Sequence, residues 1–354
     1  MKFTRKAFLM TKQPSVKNQI KAIAQKLELS TSTVSAVLGG RADTIRISKE
    51  TQKRVRDMAR EMNYQPNIYA RRLRQAASEE TPYVIVIFWR QDNLNSRIGR
   101  FISGLKNAID KKGYKVELMV QPYKPGEIMN HVEMLSSNRV SGAIISGLLE
   151  EEQEALEKED YSIPIVLIGR DSSKFHSITM DNFKAGETCI ATMKGPKVKT
   201  GAVIGFTKGG RSERMLEAGF MLGCREREIE VKEEWNLYID SSSHDAGYKS
   251  CELLLSRVNL PSAWLVADYR LAGGIMDCLD DKKIRVPEDV RLIFFEESDI
   301  LKYNKPPLSS MDVPSMEMAE KALEILILTW KQNVEIPLRM EVQPLYAIRE
   351  SSGK

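Results

Sequence analysis

Cysteine and histidine are scarce in this sequence, and neither has the spacing of a metal site. The 354 residues include four cysteines and three histidines. No C-x-x-C pair occurs among Cys189, Cys224, Cys251 and Cys278, which excludes a zinc module and favours free thiols. We therefore predict neither a metal site nor a cofactor.

Long apolar runs and the common enzyme motifs are also missing. No apolar run approaches the roughly 18–20 residues of a membrane span, and "AFLM" near the basic start is too short for a signal-peptide core. No G-x-G-x-x-G, Walker A or nucleophile-elbow motif follows a predicted strand. These absences predict a cytoplasmic protein that is not an enzyme and has no catalytic residues.

Acidic residues are rare in the first 77 positions. This segment holds 17 basic and 5 acidic residues, a balance of +12, whereas the remaining 277 residues have a balance of −7. A basic head on a mildly acidic body indicates a nucleic-acid-binding module joined to a second unit. A disordered basic tail is the alternative, but helical periodicity in the head favours a folded module.

Apolar residues at helical spacing predict three short helices in the head. The stripes are Ile20, Ile23, Ala24 and Leu27; then Val34, Val37 and Leu38; and finally Val55, Met58, Ala59 and Met62. Ser30 and Ser48 are the expected N-caps of the second and third helices. Three helices around one small core, with a tight turn between the first two, are typical of a helix-turn-helix unit.

The stretches "IKAIAQKLELSTSTVSAVLGG" and "RISKETQKRVRDMAREMNYQPNIYARRLR" resemble the DNA-binding head of the lactose repressor/galactose repressor (LacI/GalR) family. The shared elements are I-x-x-I-A, S-x-x-T-V-S, S-x-E-T and N-Y-x-P-N-x-x-A-R-x-L. Two features depart from the family: the loop around "RADT" is about three residues longer, and Ala36 replaces an almost invariant arginine. The resemblance implies a bacterial transcription regulator, nucleoid-associated when bound, whose helix-turn-helix domain spans residues 15–66.

The second helix of such a unit places its N-terminal residues in the major groove. We therefore expect Thr31 and Ser32 to face base edges, with Ala36 one turn further along the same face. Thr33 and Ser35 are expected to bond phosphate or the helix backbone. An arginine at position 36 would contact guanine bidentately, whereas alanine offers only a methyl group. The operator should therefore differ from the family's usual one at the base pair under Ala36. The alternative is that Ala36 packs inside the head.

Basic residues around the reading helix are expected to supply affinity through phosphate contacts that carry no sequence information. The candidates are Lys17, Lys21, Arg41, Arg46, Lys49, Lys53, Arg54 and Arg56.

The resemblance also implies a hinge helix over residues 67–75 that enters the minor groove when two subunits pair on DNA. Leu73 would wedge between base pairs and kink the duplex, and Asn67, Ala70 and Arg71 are the other matching positions. Without DNA, a flexible basic linker is the alternative, since so short and polar a segment is not a stable helix alone. Residues 76–82 are interpreted as the connection to the body.

From Tyr83 onwards, apolar runs alternate with helical segments, which predicts parallel sheets covered by helices on both faces. The predicted strands are "YVIVIFW", "GAIIS", "PIVLIG", "GAVIGF", "AWLVA" and "VRLIFF", and the predicted helices are 97–112, 126–138, 211–228, 244–257, 270–281 and 315–332. Ligand binding is expected at the carboxyl ends of the strands.

The body resembles the two-lobed, periplasmic-binding-protein-like effector domain of the same family, in stretches such as "VSGAIIS", "MDNFKAGE" and "RVPEDV". The implied fold class is α/β: an all-α helix-turn-helix head followed by a two-lobed body with parallel sheets. The predicted N-terminal lobe comprises 83–179 and 311–330, and the predicted C-terminal lobe 180–310 and 331–354. Three crossovers between the lobes and dimerisation through the body are also implied.

A cleft between the lobes is the effector site that the resemblance implies. The candidate effector contacts are Arg97, Arg170, Asp181, Asn182, Asp268 and Arg270. Leu216 and Ala267 replace a cleft arginine and a cleft asparagine of the family. Because several arginines are expected to face the cleft, an anionic ligand such as a sugar acid or sugar phosphate is favoured.

These observations predict a sequence-specific DNA-binding transcription regulator, a repressor, that binds a pseudo-palindromic operator as a homodimer. Its partners would be the double-stranded operator, a second copy of the chain and a small-molecule effector. One alternative is the same regulator with effector control lost or replaced by a protein partner. A solute-binding protein is a more distant alternative, which the basic head and the missing signal peptide oppose.

Overall fold

The structure is a computed structural model that describes residues 16–38, 47–62, 82–91, 96–136, 140–193, 195–207, 209–257, 260–332, 334 and 336–353. The predicted hinge contacts Asn67, Ala70, Arg71 and Leu73 lie outside these ranges.

The described part of the head contains three helices, as predicted: α1 (Val16–Leu27), α2 (Thr31–Leu38) and α3 (Lys49–Glu61). The Ser30 hydroxyl caps α2 by accepting a hydrogen bond from the Thr33 N–H at 3.0 Å. The Ser48 hydroxyl caps α3 in the same way, 3.2 Å from the Thr51 nitrogen. The shared core consists of Ile23, Ala24, Leu27, Val34, Val37, Val55 and Ala59. The apolar stripes read from the sequence therefore meet in one core.

The first lobe of the body begins with alternating strands and helices. Its elements are β1 (Tyr83–Arg90), α4 (Ser96–Lys112), β2 (Val116–Tyr123), α5 (Val132–Ser136), β3 (Gly142–Ser146), α6 (Glu150–Lys158), β4 (Ile165–Ile168) and β5 (His176–Met180).

The second lobe repeats this alternation. Its elements are α7 (Asn182–Thr192), β6 (Thr200–Phe206), α8 (Arg211–Glu226), β7 (Glu230–Val231), β8 (Leu237–Ile239), α9 (His244–Arg257), β9 (Ala263–Val266), α10 (Ala272–Asp281), β10 (Arg291–Phe295), α11 (Asp299–Lys302) and β11 (Ser309–Asp312). The chain then continues through α12 (Ser315–Gln332), β12 (Arg339–Val342) and β13 (Leu345–Ala347).

Each lobe is built on one sheet. The first sheet has the order β12-β5-β4-β3-β1-β2 and is parallel throughout. The second has the order β13-β11-β10-β9-β6-β7, with β8 also paired to β6, and β13 is antiparallel. Central strands such as β4 and β9 are buried along their whole length because helices cover both faces. The predicted α/β class is confirmed.

The chain passes between the lobes three times: from β5 to α7, from β11 to α12 and from β12 to β13. The predicted lobe boundary at residue 331 is wrong, because β12 pairs with β5 in the first sheet, with Arg339 opposite Ser177. Met311 and Asp312, assigned to the first lobe from sequence, belong to β11 in the second sheet. The short edge strand β12 buries only Val342 fully, so it lacks the apolar run that marks a central strand.

Candidate DNA-binding surface and interlobe cleft

Hydroxyl groups cluster at the N-terminus of α2. Thr31 and Ser32 are exposed, whereas Thr33 and Ser35 are half-buried. The Ser30 hydroxyl oxygen lies 2.7 Å from that of Ser32 and 2.8 Å from that of Thr33. Because Thr31 and Ser32 are exposed and Thr33 and Ser35 are not, Thr31 and Ser32 are the side chains that this helix end presents outward.

The structure corrects the expectation for Ala36. Only 5% of this residue is exposed, and it is buried together with Val34 and Val37. Ala36 lies one turn beyond Ser32, but the C-terminal half of this eight-residue helix sits deeper in the head than the N-terminal half. Its methyl group therefore lies inside the head, and a contact with a thymine methyl is not supported.

Exposed basic side chains lie on α1 and α3, the two helices that contact α2. The exposed basic residues of the described head are Lys21, Lys26, Lys49, Lys53, Arg54 and Arg56. On α3, Arg56 donates to the Gln52 side-chain oxygen at 3.3 Å, and Gln52 in turn donates to the Ile47 carbonyl at 2.9 Å. The remaining donors of such a surface are suited to phosphate oxygens.

In the body, two arginines at the start of α4 cross the cleft to the second lobe. The Arg97 guanidinium pairs with the Glu296 carboxylate and lies over the Phe295 ring, 5.3 Å from its centroid. Arg100 donates to the Asp312 carboxylate at 3.1 Å and to the Glu297 carbonyl at 3.3 Å. The first turns of α4 are thus bound to the carboxyl ends of β10 and β11.

Two further arginines are neutralised within the second lobe. Arg270 forks onto Asp268, with its Nε 2.9 and 3.1 Å from the two carboxylate oxygens. The hydrogen bond to Asp268 raises the pKa of Arg270. Arg349 binds Glu297 bidentately, at 2.8 and 3.1 Å. Asp268 and Glu297 therefore already have cationic partners.

The other predicted effector contacts do not join these pairs. Arg170 donates to the Gln153 side chain at 2.7 Å and to the Leu148 carbonyl at 3.0 Å, both in the first lobe. Burial lowers the pKa of Arg170, and Arg211 lowers it further. Asp181 caps α7 by accepting from the Lys184 N–H at 2.8 Å, and Asn182 donates to the Met180 carbonyl at 3.0 Å.

A small cavity lies in the second lobe beside these pairs, and its empty space of about 210 Å³ includes open solvent. Its lining consists of Val203, Glu213, Leu216, Glu217, Leu265, Ala267 and Phe295. Desolvation, reinforced by the Glu213 charge, raises the pKa of Glu217 to about 7, although a hydrogen bond with Tyr238 opposes the shift. Two carboxyl groups and an apolar wall thus stand where the family resemblance implies an arginine.

Sequence reasoning missed Arg100, Arg349 and the cavity glutamates. Arg100 stands three residues after Arg97, and Glu217 stands four after Glu213, so helical spacing places each pair on one face. That spacing was a usable signal. The contact between Arg349 and Glu297 joins residues 52 positions apart, and no local pattern indicates it.

Within the described part of the chain, no group of three or more His, Cys, Asp or Glu residues could hold a metal ion. The four cysteines are buried and free. No helix of the described ranges is long and apolar enough to cross a membrane.

Comparison with known proteins agrees with this arrangement of head and body. Residues 19–67 match the model of bacterial regulatory proteins of the lacI family, and residues 194–352 match a periplasmic binding protein-like domain. The HTH-type transcriptional repressor PurR of Mannheimia succiniciproducens is 25% identical over 95% of this chain and 98% of that protein. Catabolite control protein A of Staphylococcus epidermidis is 27% identical over 90% of this chain and 96% of that protein.

Solved structures show the same fold. A LacI family transcription regulator from Clostridium acetobutylicum superposes with a TM-score of 0.71 at 23% identity, covering 76% of this chain and all of that one. The lac repressor dimer bound to operator and the anti-inducer ONPF superposes with a TM-score of 0.65 at 19% identity, covering 93% and 97%. The two matched family models and the full-length curated relatives together show that the chain belongs to the LacI family of bacterial regulatory proteins, with its DNA-binding domain in residues 19–67 and a periplasmic-binding-protein-like domain in residues 194–352.

Proposed function

We propose that this regulator represses transcription by binding a pseudo-palindromic operator as a homodimer. The observation that carries the proposal is the N-terminus of α2, where Thr31 and Ser32 project from a helix that the head core holds in place. A second helix positioned in this way is the element that enters the major groove. Because one helix reads only a half-site, a two-fold dimer requires two-fold related half-sites.

The exposed basic residues of α1 and α3 supply the electrostatic part of binding in this proposal. Lys53 and Arg54 on α3 are exposed next to Arg56, and each phosphate they neutralise releases counterions from the duplex. The hydroxyls of α2 add discrimination rather than charge. Leu73 remains a predicted wedge of the hinge segment, which lies outside the described residues.

For control, we propose a small-molecule effector of the sugar type, with an anionic group, in the interlobe cleft. The support is the set of arginines at the ends of the strands, Arg97 and Arg270 above all. Both already bind carboxylates of the chain, Glu296 and Asp268. An anionic effector therefore has to replace one of these carboxylates, which sets a threshold for its binding.

A second candidate is a regulator that needs no small molecule. The observation in its favour is that Arg97 and Arg100 cross the cleft to carboxylates of the other lobe. The lobes are thereby held together by the chain itself. Under this alternative, a protein partner or the amount of regulator sets the level of repression.

Selection of bound duplexes from a random library tests the DNA-binding proposal. We expect a two-fold related motif, a protein-to-duplex ratio of two chains per site, and binding that falls steeply with salt. The double variant Thr31→Ala/Ser32→Ala is the matched control, because it keeps the charges: it should retain non-specific affinity and lose the motif. Recovery of an asymmetric motif, or of no motif at low salt, would refute the proposal.

The effector proposal has its own test. Thermal unfolding of the full chain is followed with neutral sugars, sugar acids and sugar phosphates. Stabilisation by the anionic compounds that disappears in Arg270→Ala supports the anionic cleft. Stabilisation by neutral sugars alone excludes the anionic group, and no stabilisation by any compound favours the second candidate.

A further inference from the structure

The ion pairs across the cleft join residues that are distant in sequence and belong to different lobes. Arg97 and Arg100 lie on the first two turns of α4, in the first lobe. Their partners Glu296 and Asp312 lie at the carboxyl ends of β10 and β11, in the second lobe. Any movement that separates the two lobes at this point has to break both pairs.

Glu296 is held in place by its own lobe as well as by Arg97. Its backbone lies in the left-handed region, with φ +68°, which is uncommon for a residue other than glycine. The Glu296 N–H donates to the Met311 carbonyl at 2.9 Å, so the neighbouring strand maintains this conformation. Such local strain persists only where the surroundings enforce it, and it concentrates at functional positions.

The next residue strengthens this anchorage. The Glu297 carboxylate is fixed by Arg349 and accepts a hydrogen bond from the Ser310 hydroxyl. The Glu297 carbonyl accepts from Arg100. The turn after β10 is therefore bound to its own lobe through the side chains of Arg349 and Ser310. Arg97 and Arg100 bind the same turn to the first lobe.

We propose that Glu296 is a built-in ligand of Arg97 and that this pair, with Arg100 and Asp312, holds the lobes closed without a small molecule. The Glu296 side chain is only 4% exposed, so removal of Arg97 takes away the cation paired with a buried carboxylate. The Phe295 ring excludes water from one face of the same guanidinium. An anion that acts in this cleft has to compete with Glu296 for Arg97. The effect on DNA rests on the proposed function, whereas the closure of the lobes does not.

Hydrogen exchange of the ligand-free full chain tests the closure. In Arg97→Ala, amides in the first turns of α4 and in residues 296–313 should exchange at least threefold faster than in the unmodified chain, because one of the two ion pairs that join these segments across the cleft is lost. Lys112→Ala is the matched control: Lys112 ends the same helix and pairs at 2.6 Å with Glu324 of the same lobe. This control should leave exchange in the two segments unchanged.

Glu296→Gln provides a second variant that preserves side-chain shape. It should accelerate amide exchange in the same two segments. Equal exchange in Arg97→Ala, Glu296→Gln and the unmodified chain, at unchanged global unfolding, would overturn the proposal. Acceleration in Lys112→Ala as well would also overturn it, since the effect would then not belong to the cleft. Operator affinity is measured separately on the same variants, and we expect it to change at least fivefold. If the unmodified chain does not bind DNA at all, the proposed function is refuted. The comparison of hydrogen exchange between the variants is not affected by that result.

Discussion

Gly186 of α7 and Gly219 of α8 lie where these two helices cross in backbone contact. A Cβ atom at Gly186 would stand 2.0 Å from the Leu216 carbonyl oxygen, and one at Gly219 would stand 1.9 Å from that of Phe183. Real Cβ contacts are never so short, so both positions require glycine. The crossing fixes the start of α7, at the first crossover, against the helix that carries Glu213 and Glu217.

Replacing Gly219 by alanine should separate α7 from α8 and destabilise the second lobe. Overpacking of this kind costs on the order of 3 kcal/mol in the free energy of unfolding, measured by urea denaturation. Gly99 of α4 is the control, because a Cβ there meets no atom within 4 Å. Gly99→Ala should be neutral or stabilising by up to about 1 kcal/mol, as expected in a helix. Equal effects of the two substitutions would contradict the close crossing.

Thr31 should determine one base pair in each half-site. Thr31→Ala removes an exposed hydroxyl and methyl at the first position of α2 without disturbing the head core, so stability should hold while preference at one symmetric pair of positions weakens. A good contact to a base discriminates by about 1–3 kcal/mol, measurable by competition between operator variants. Thr51→Ala makes a similar change at the start of α3 and should leave base preference intact. An unchanged preference in Thr31→Ala would remove this residue from the reading surface.

Arg54 should contribute to affinity without contributing to specificity. Arg54→Ala is expected to weaken binding to all sequences alike and to reduce the slope of log affinity against log salt by about 0.9, the value for one phosphate. Titration at several salt concentrations gives the slope. Lys158→Ala removes an exposed charge from α6 of the body and serves as the control. A loss of affinity confined to the best operator would contradict the assignment to phosphate.

The head could be predicted from sequence because its information is local. Ile23, Val34 and Val55 recur at helical spacing, and Ser30 and Ser48 supply the caps in the same short window. The orientation of Ala36 escaped this reasoning. Helical spacing gives the angular position of a residue, but how deeply each end of a short helix lies depends on the neighbouring helices.

The cleft could be predicted only in part, because its contacts join residues that are distant in the sequence. Arg97, Asp268 and Arg270 could be placed near the cleft because buried parallel strands end there. The carboxylate that pairs with Arg97 could not be predicted, because Glu296 lies 199 residues away in the sequence. Several arginines in loops indicated a free anionic site, whereas the folded chain supplies its own carboxylates. Charge complementarity within a fold is decided by tertiary distances, which spacing along the chain does not contain.

Glu217 should make the stability of the second lobe depend on pH near neutrality. Burial beside Glu213 raises the pKa of Glu217 to about 7 in the folded protein, whereas its ordinary value is 4.5. Between these two values the folded protein binds more protons than the unfolded chain, so the free energy of unfolding falls as the pH rises through this window and is level above it.

Glu217→Gln removes this titration while keeping the size of the side chain. The variant should match the unmodified protein at pH 4.5 and exceed it by on the order of 2 kcal/mol at pH 8, because a neutral amide has no buried charge to desolvate. Urea denaturation between pH 4.5 and 8 gives the difference. Glu226→Gln lies on the exposed face of the same helix α8. The free energy of unfolding of this variant should depend on pH in the same way as that of the unmodified protein. If Glu217→Gln shows the same pH dependence as the unmodified protein, the pKa of Glu217 is equal in the folded and unfolded states, and the wall of the cavity is negatively charged at neutral pH.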